Sequence, residues 1–248
     1  MSLLSASKRR CLAHAAGAFV ICCALATPSA AHHVWIEQEA DGKYRLYFGE
    51  FAENLKEVAG KLLDRVEPAV RLQSSSGENP VQTKRRTDGI DLLANLGTGE
   101  SFIAEDIRCP VSERKVGERT VRSAYQPAAR FVPDLGVRKP VLTLDVLPSD
   151  KTGRFKVEFR NAALPKAKVN VIAVSGWSRE LRTGEDGTFD ISLPWKGVYA
   201  IEVSHTDRVP RQIDGVSIDQ TSFVTTLSFT QANGLESLPR PPSAKPSD

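Results

Sequence analysis

Three histidines lie beyond residue 31 of this 248-residue chain, His32, His33 and His205, and the first two directly follow Ser29-Ala30-Ala31. Cleavage after Ala31 makes His32 the first residue, with a free α-amine. An imidazole and an amine on one residue form a bidentate nitrogen donor suited to Cu(II) or Ni(II) and usable by Zn(II). His205 is the candidate third nitrogen if the chain ends meet, and His33 is the remaining candidate. In an extended strand His32, Val34 and Ile36 point to one side while His33, Trp35 and Glu37 point to the other, so the adjacent histidines do not share a site through their rings. Cleavage one residue earlier would place His33 third from the amine, where Cu(II) or Ni(II) can take the amine, two amides and one imidazole in a square. Pro28 at −3 disfavours that cut. Glu37, Glu50, Glu202 and Asp207 are possible oxygen donors, which salt bridges or solvated strand ends explain equally well. Hydrolytic motifs are missing: there is no Gly-x-Ser-x-Gly, Cys-His arrangement or His-Glu-x-x-His, and the chain reads as a non-enzyme.

The cut is expected because residues 1–31 have the order of an export signal. Lys8, Arg9 and Arg10 precede an apolar run from Ala15 to Leu25, and Ser29 and Ala31 are small residues at −3 and −1. The run falls short of the ~20 residues a spanning helix needs, and later apolar segments are broken by charge, Pro or Gly. A soluble periplasmic protein without a membrane span is the expectation, by a general or twin-arginine route. The leader carries three of the 33 Lys+Arg and none of the 30 Asp+Glu, so the formal charge of +3 falls to zero without it. That balance gives no reason to expect nucleic acid or an anionic membrane as partner. Of four cysteines only Cys109 remains, which excludes an intrachain disulfide and reads as a buried, inert thiol.

The elements that must position the histidines are mostly short strands. His33–Gln38 and Tyr44–Phe48 alternate about Asp41-Gly42 as a hairpin. Leu55, Val58, Leu62 and Val66 recur at helical spacing, predicting a short amphipathic helix over 51–66, bent near Gly60, with Glu53, Lys56, Glu57, Lys61 and Asp64 on its solvated face. Strands follow near 70–72, 81–85, 90–93, 102–105 and 119–125. A boundary at 139–149 opens a second series with an Asp186-Gly187 turn, ending in a strand over 221–229. The reading is mainly β: two antiparallel β-sandwich-like domains in tandem, residues 32–139 with one short helix and residues 140–231 of immunoglobulin or prealbumin type. Residues 232–248, rich in Pro, are expected to form a disordered tail.

His32-His33-Val34-Trp35-Ile36-Glu37, Ala162-Ala163-Leu164-Pro165-Lys166-Ala167-Lys168-Val169, Thr183-Gly184-Glu185-Asp186-Gly187-Thr188-Phe189 and Gly197-Val198-Tyr199 leading to Ser204-His205 carry a resemblance. Over most of the region after residue 31 the chain resembles an exported bacterial family of uncharacterised function associated with nickel and cobalt uptake and with TonB-dependent receptors. Its second half is similar to prealbumin and carboxypeptidase-regulatory sandwiches. The resemblance implies an initial histidine soon followed by Trp, places the family's histidine positions on His32 and His205, and leaves His33 where members often differ. It implies an accessory protein that binds a divalent transition metal, Ni, Co or Cu, and serves a metal-uptake transporter or a TonB-dependent outer-membrane receptor. A non-catalytic β-sandwich adaptor for an envelope partner is the alternative, and a copper histidine-brace oxidative enzyme a further one.

Overall fold

The computed structural model describes residues 32–106 and 111–246, so the leader and Cys109 lie outside the described residues. The chain is mainly β and sandwich-like, with its sheets in three layers. The front sheet runs His33–Gln38, Tyr44–Glu50, Ile90–Leu92, Thr83–Arg85, with Leu55–Lys56 paired to the end of Tyr44–Glu50. The central sheet runs Ser178–Arg182, Lys168–Ala173, Gly197–Asp207, Gln220–Gln231, Arg119–Val132, Ser101–Glu105, Ala69–Ser74, Gly77–Pro80, and Val111–Val116 joins it as a partner of Arg119–Val132. The back sheet is Leu144–Pro148, Arg154–Phe159 and Ala162–Ala163, with Thr188–Asp190 on Arg154–Phe159.

Strand alternation explains how one sheet serves two cores. Phe131 and Ala129 face forward and close over Val34, Ile36, Tyr44, Leu46 and Phe48, while Val132 faces back, with Tyr199, Ile201 and Phe229, onto Leu144, Val146, Phe155 and Val157. Each such buried aliphatic or aromatic side chain stabilises the fold by about 1.5–3 kcal/mol. The front core holds residues between 34 and 131 and the back core residues between 132 and 229, while a third cluster joins Trp35, Tyr47 and Phe51 to Ile172 and Ala200. The central sheet likewise draws strands from both sides of the 139–149 boundary. Ser123–Val132 lies parallel to Gln220–Phe229, and the other strand pairs described are antiparallel.

His33–Gln38 is buried on both faces. Val34 and Ile36 enter the front core; Trp35 turns the other way onto Tyr47, Phe51, Ile172 and Ala200. Ser228 Oγ donates to the Ile36 carbonyl, fixing this strand on the central sheet.

The helix expected over 51–66 is corrected by the structure to a single 3-10 turn, Leu62–Arg65. Asn54 and Gly60 adopt positive φ (49° and 82°), which no α-helix tolerates, and Leu55–Lys56 pairs with Gly49–Glu50 as strand. The charge assignment changes with it: Glu57, expected on a solvated face, is fully buried. The expectation of a disordered tail left out what Arg240 can reach. Its guanidinium meets the Glu37 carboxylate, and Leu235 forms an isolated bridge with Trp195.

Candidate functional site

His32 stands just before the first strand, where the front sheet meets the central one. Its Nε2 lies 2.6 Å from Glu57 Oε1, its carbonyl accepts from the Tyr125 hydroxyl, and its ring sits 5.3 Å from that of Phe48. Glu57 is drawn in because its own amide donates to the Phe48 carbonyl at 2.8 Å, continuing the Leu55–Lys56 pairing by one residue. With Glu57 ionised the carboxylate only accepts, so Nε2 carries a proton, and in the neutral ring Nδ1 keeps the lone pair. Nδ1 in turn faces Glu50, whose Oε1 is 3.9 Å away. Beside the ring is a cavity of ≈ 190 Å³ lined by Phe48, Leu62, Val66 and Pro127 together with Arg65, Asp106 and Tyr125.

His33 takes the opposite side of the strand, as the alternation requires. Its Nδ1 lies 3.0 Å from Glu202 Oε1, a charged pair whenever the ring is protonated. His205 does not join either histidine, which corrects the expectation that it completes a three-nitrogen site. Glu202 and His205 are three residues apart on one strand, so they project from opposite faces; the register sets Glu202 against Thr226 and His205 against Phe223. His205 packs on the back side, its ring 4.4 Å from Phe159. Among the described residues no three His, Cys, Asp or Glu side chains gather as a metal-holding set. Glu57 and Glu50 address opposite edges of the His32 ring and cannot converge on one point. Of the other possible oxygen donors, Glu37 accepts from Trp35 Nε1 at 2.7 Å and Asp207 pairs with Arg160 at 2.6 Å.

Glu57 and Tyr125 escaped the sequence reading. A glutamate amid Lys56 and Lys61 looks solvated, and Tyr125 closes the strand expected over 119–125; in the structure Arg119–Val132 continues through Pro127. The one available signal for Tyr125 was its place on the forward-facing register of a long strand.

Burial holds the His205 imidazole below its ordinary pKa, with Asp207 opposing and Arg160 assisting. The sign follows from linkage. Between the folded and unfolded pKa values the unfolded chain binds the proton better, so stability falls as pH drops through the unfolded value of ~6.5. His205→Gln should therefore flatten the loss of urea stability between pH 7.5 and 5.5; an unchanged slope would show that His205 does not contribute to it.

Fold and site together describe a layered, mainly β protein with one partly buried histidine–carboxylate cluster at the start of its first strand. Comparison with protein-family models, with curated proteins and with solved structures finds no match. Among the described residues no helix is long and apolar enough to cross a membrane.

Proposed function

We propose that the processed chain is an exported accessory protein that holds a transition metal ion, Ni, Co or Cu, at its N-terminus and assists its uptake or delivery. The observation that carries this reading is the spacing at His32: Nδ1 and Glu50 Oε1 are 3.9 Å apart, too far for a hydrogen bond. Donors bound to one ion at ~2.0–2.2 Å stand about 3–4 Å from each other, so the pair fits. The α-amine left by cleavage after Ala31, His32 Nδ1 and Glu50 would hold the ion. Glu57 plays the orienting part that carboxylates take behind metal-bound histidines, fixing tautomer and ring direction. A bound ion would supply a labile, exchangeable charge for hand-over. A metal-uptake transporter or a TonB-dependent outer-membrane receptor is the partner class that the family resemblance suggests.

Calorimetric titration of the chain beginning at His32 with Cu(II), Ni(II) and Co(II) tests this. One ion per chain is expected. Glu57→Gln should weaken it by about 10–100-fold, the usual loss for a residue that orients a ligand, with His32→Ala and Glu50→Gln costing more. His205→Ala should leave affinity unchanged. Equal, weak binding by the wild type and all four variants would sink the metal reading and favour the adaptor.

A further inference from the structure

The segment after Ser237 reaches the first strand and grips one turn. Arg240 sets Nη2 2.6 Å from Glu37 Oε1 and Nη1 3.1 Å from Oε2, a two-pronged pair on a carboxylate that also accepts from Trp35. The same guanidinium lies 5.6 Å from the Phe51 ring. Asn54 Nδ2 donates to the Pro241 carbonyl at 2.9 Å and to Ser243 Oγ at 3.1 Å. Glu37 and Asn54 are 4% and 8% exposed, so these bonds replace hydration and are not surface contacts.

Phe51–Asn54 is the connection between Tyr44–Glu50 and Leu55–Lys56. Glu50 stands immediately before it and Glu57 just beyond the short strand, with Glu50 opposite Leu55 and Gly49 opposite Lys56. The two carboxylates on the His32 ring are thus the two ends of the hairpin that the tail holds. Phe51 anchors the start of the turn in the cluster with Trp35, Ile172 and Ala200, while its other end, Asn54, takes φ 49° and donates its amide to the Phe51 carbonyl at 3.2 Å. A two-residue strand alone is a weak clamp.

We propose that residues 240–243 are a positioning strap for the His32 site, with Arg240 and Asn54 as its two fastenings. Docked, the strap sets Glu50 and Glu57 against the ring; released, it lets the hairpin open and the carboxylates move apart. Ion binding and strap docking are therefore coupled, and by reciprocity an ion at His32 tightens the strap. The ion in this statement rests on the metal reading above; the mechanical link from strap to hairpin rests on the hydrogen bonds alone.

The test uses the full processed chain in four forms: wild type, Asn54→Gly, Arg240→Gln and Arg240→Lys. Glycine accepts the positive φ of residue 54, so Asn54→Gly removes the fastening and leaves the turn unstrained. Arg240→Gln removes the other fastening independently, and Arg240→Lys, which keeps the charge without the fork, should restore only part. Amide exchange at Asn54 and Glu57, the His32 ring ¹⁵N shifts at fixed pH, and Ni(II) affinity are read together, with urea midpoints to confirm folding. Expected are about tenfold faster exchange at both amides in Asn54→Gly and Arg240→Gln, ring shifts moving towards a mixture of tautomers, and Ni(II) affinity about tenfold lower. Unchanged exchange and ring shifts in both variants overturn the strap whether or not the wild type binds Ni(II). Faster exchange with Ni(II) affinity retained overturns its role in positioning. Faster exchange and altered ring shifts with no Ni(II) binding by the wild type uphold the strap and reject the metal reading instead.

Discussion

Arg130→Ala should cost about 3–5 kcal/mol of unfolding free energy, the loss expected when one partner of a buried ion pair is removed and the other charge stays behind. Arg130 and Asp145 are both fully buried. The guanidinium meets Asp145 twice, at 2.9 Å and 2.7 Å, and donates to Gln73 Oε1 at 2.6 Å. Asp145 Oδ2 also accepts the amides of Val141 and Leu142 at 2.9 Å and 3.1 Å. One cluster therefore fastens Arg119–Val132, the back-sheet strand Leu144–Pro148, the loop before it and Ala69–Ser74. Arg130→Met with Asp145→Leu should recover part of the loss, because the unpaired charge is gone, and not all of it, because the two loop amides lose their acceptor. Urea denaturation followed by tryptophan fluorescence checks both. A loss below about 1 kcal/mol for Arg130→Ala would mean that water or a neighbour replaces the pair and that the cluster does not hold the layers.

Gly49→Ala should be comparably severe and should reach the His32 site as well. Gly49 lies between His33 and Lys56 in the front sheet at φ 149°, and a Cβ there would stand 2.1 Å from the Leu55 carbonyl oxygen. Both atoms in this clash are fixed by backbone, so the relief available is to break the Leu55–Lys56 pairing that brings Glu57 inward. A cost of about 3 kcal/mol or more is expected, combining overpacking with a backbone conformation that alanine resists. Gly60→Ala is the matched control. Its φ is 82° but no atom lies within 4 Å of the added carbon, so it should lose only about 1–2 kcal/mol to backbone strain. Equal urea midpoints for the two variants would show that the close approach at Gly49 relaxes freely.

These two sites also mark what could be read from the sequence. The hairpin about Asp41-Gly42 was legible because both strands alternate and the turn residues are specific, and the register from Gln38 opposite Tyr44 to His33 opposite Gly49 follows from it. The separation of His32 from His33 was legible for the same reason. Residues 51–66 misled because Leu55, Val58, Leu62 and Val66 satisfy helical spacing while Asn54 and Gly60 take backbone conformations that the spacing cannot report. Glu57 was hidden since nothing local distinguishes a buried carboxylate from a solvated one; its burial depends on His32, 25 residues away. His205 was misplaced by ignoring parity along Gly197–Asp207. Arg130 and Arg240 each find their carboxylate only through long-range packing, and the Pro-rich composition around Arg240 pointed to a solvated tail.

The parallel pairing at the middle of the central sheet has a consequence for how the chain is made. Ser123 and Gln220 are 97 positions apart, and the strands that pair from them lie side by side, with Gln220–Gln231 supplying Phe223, Leu227 and Phe229 to the back core. The back core is unfinished until the strand Gln220–Gln231 has arrived, so an emerging chain holding only its first two hundred residues leaves one edge of Arg119–Val132 bare. Contacts of this separation are slow to form because a long loop must close first. The back core thus consolidates in one late step, once its last strand is delivered.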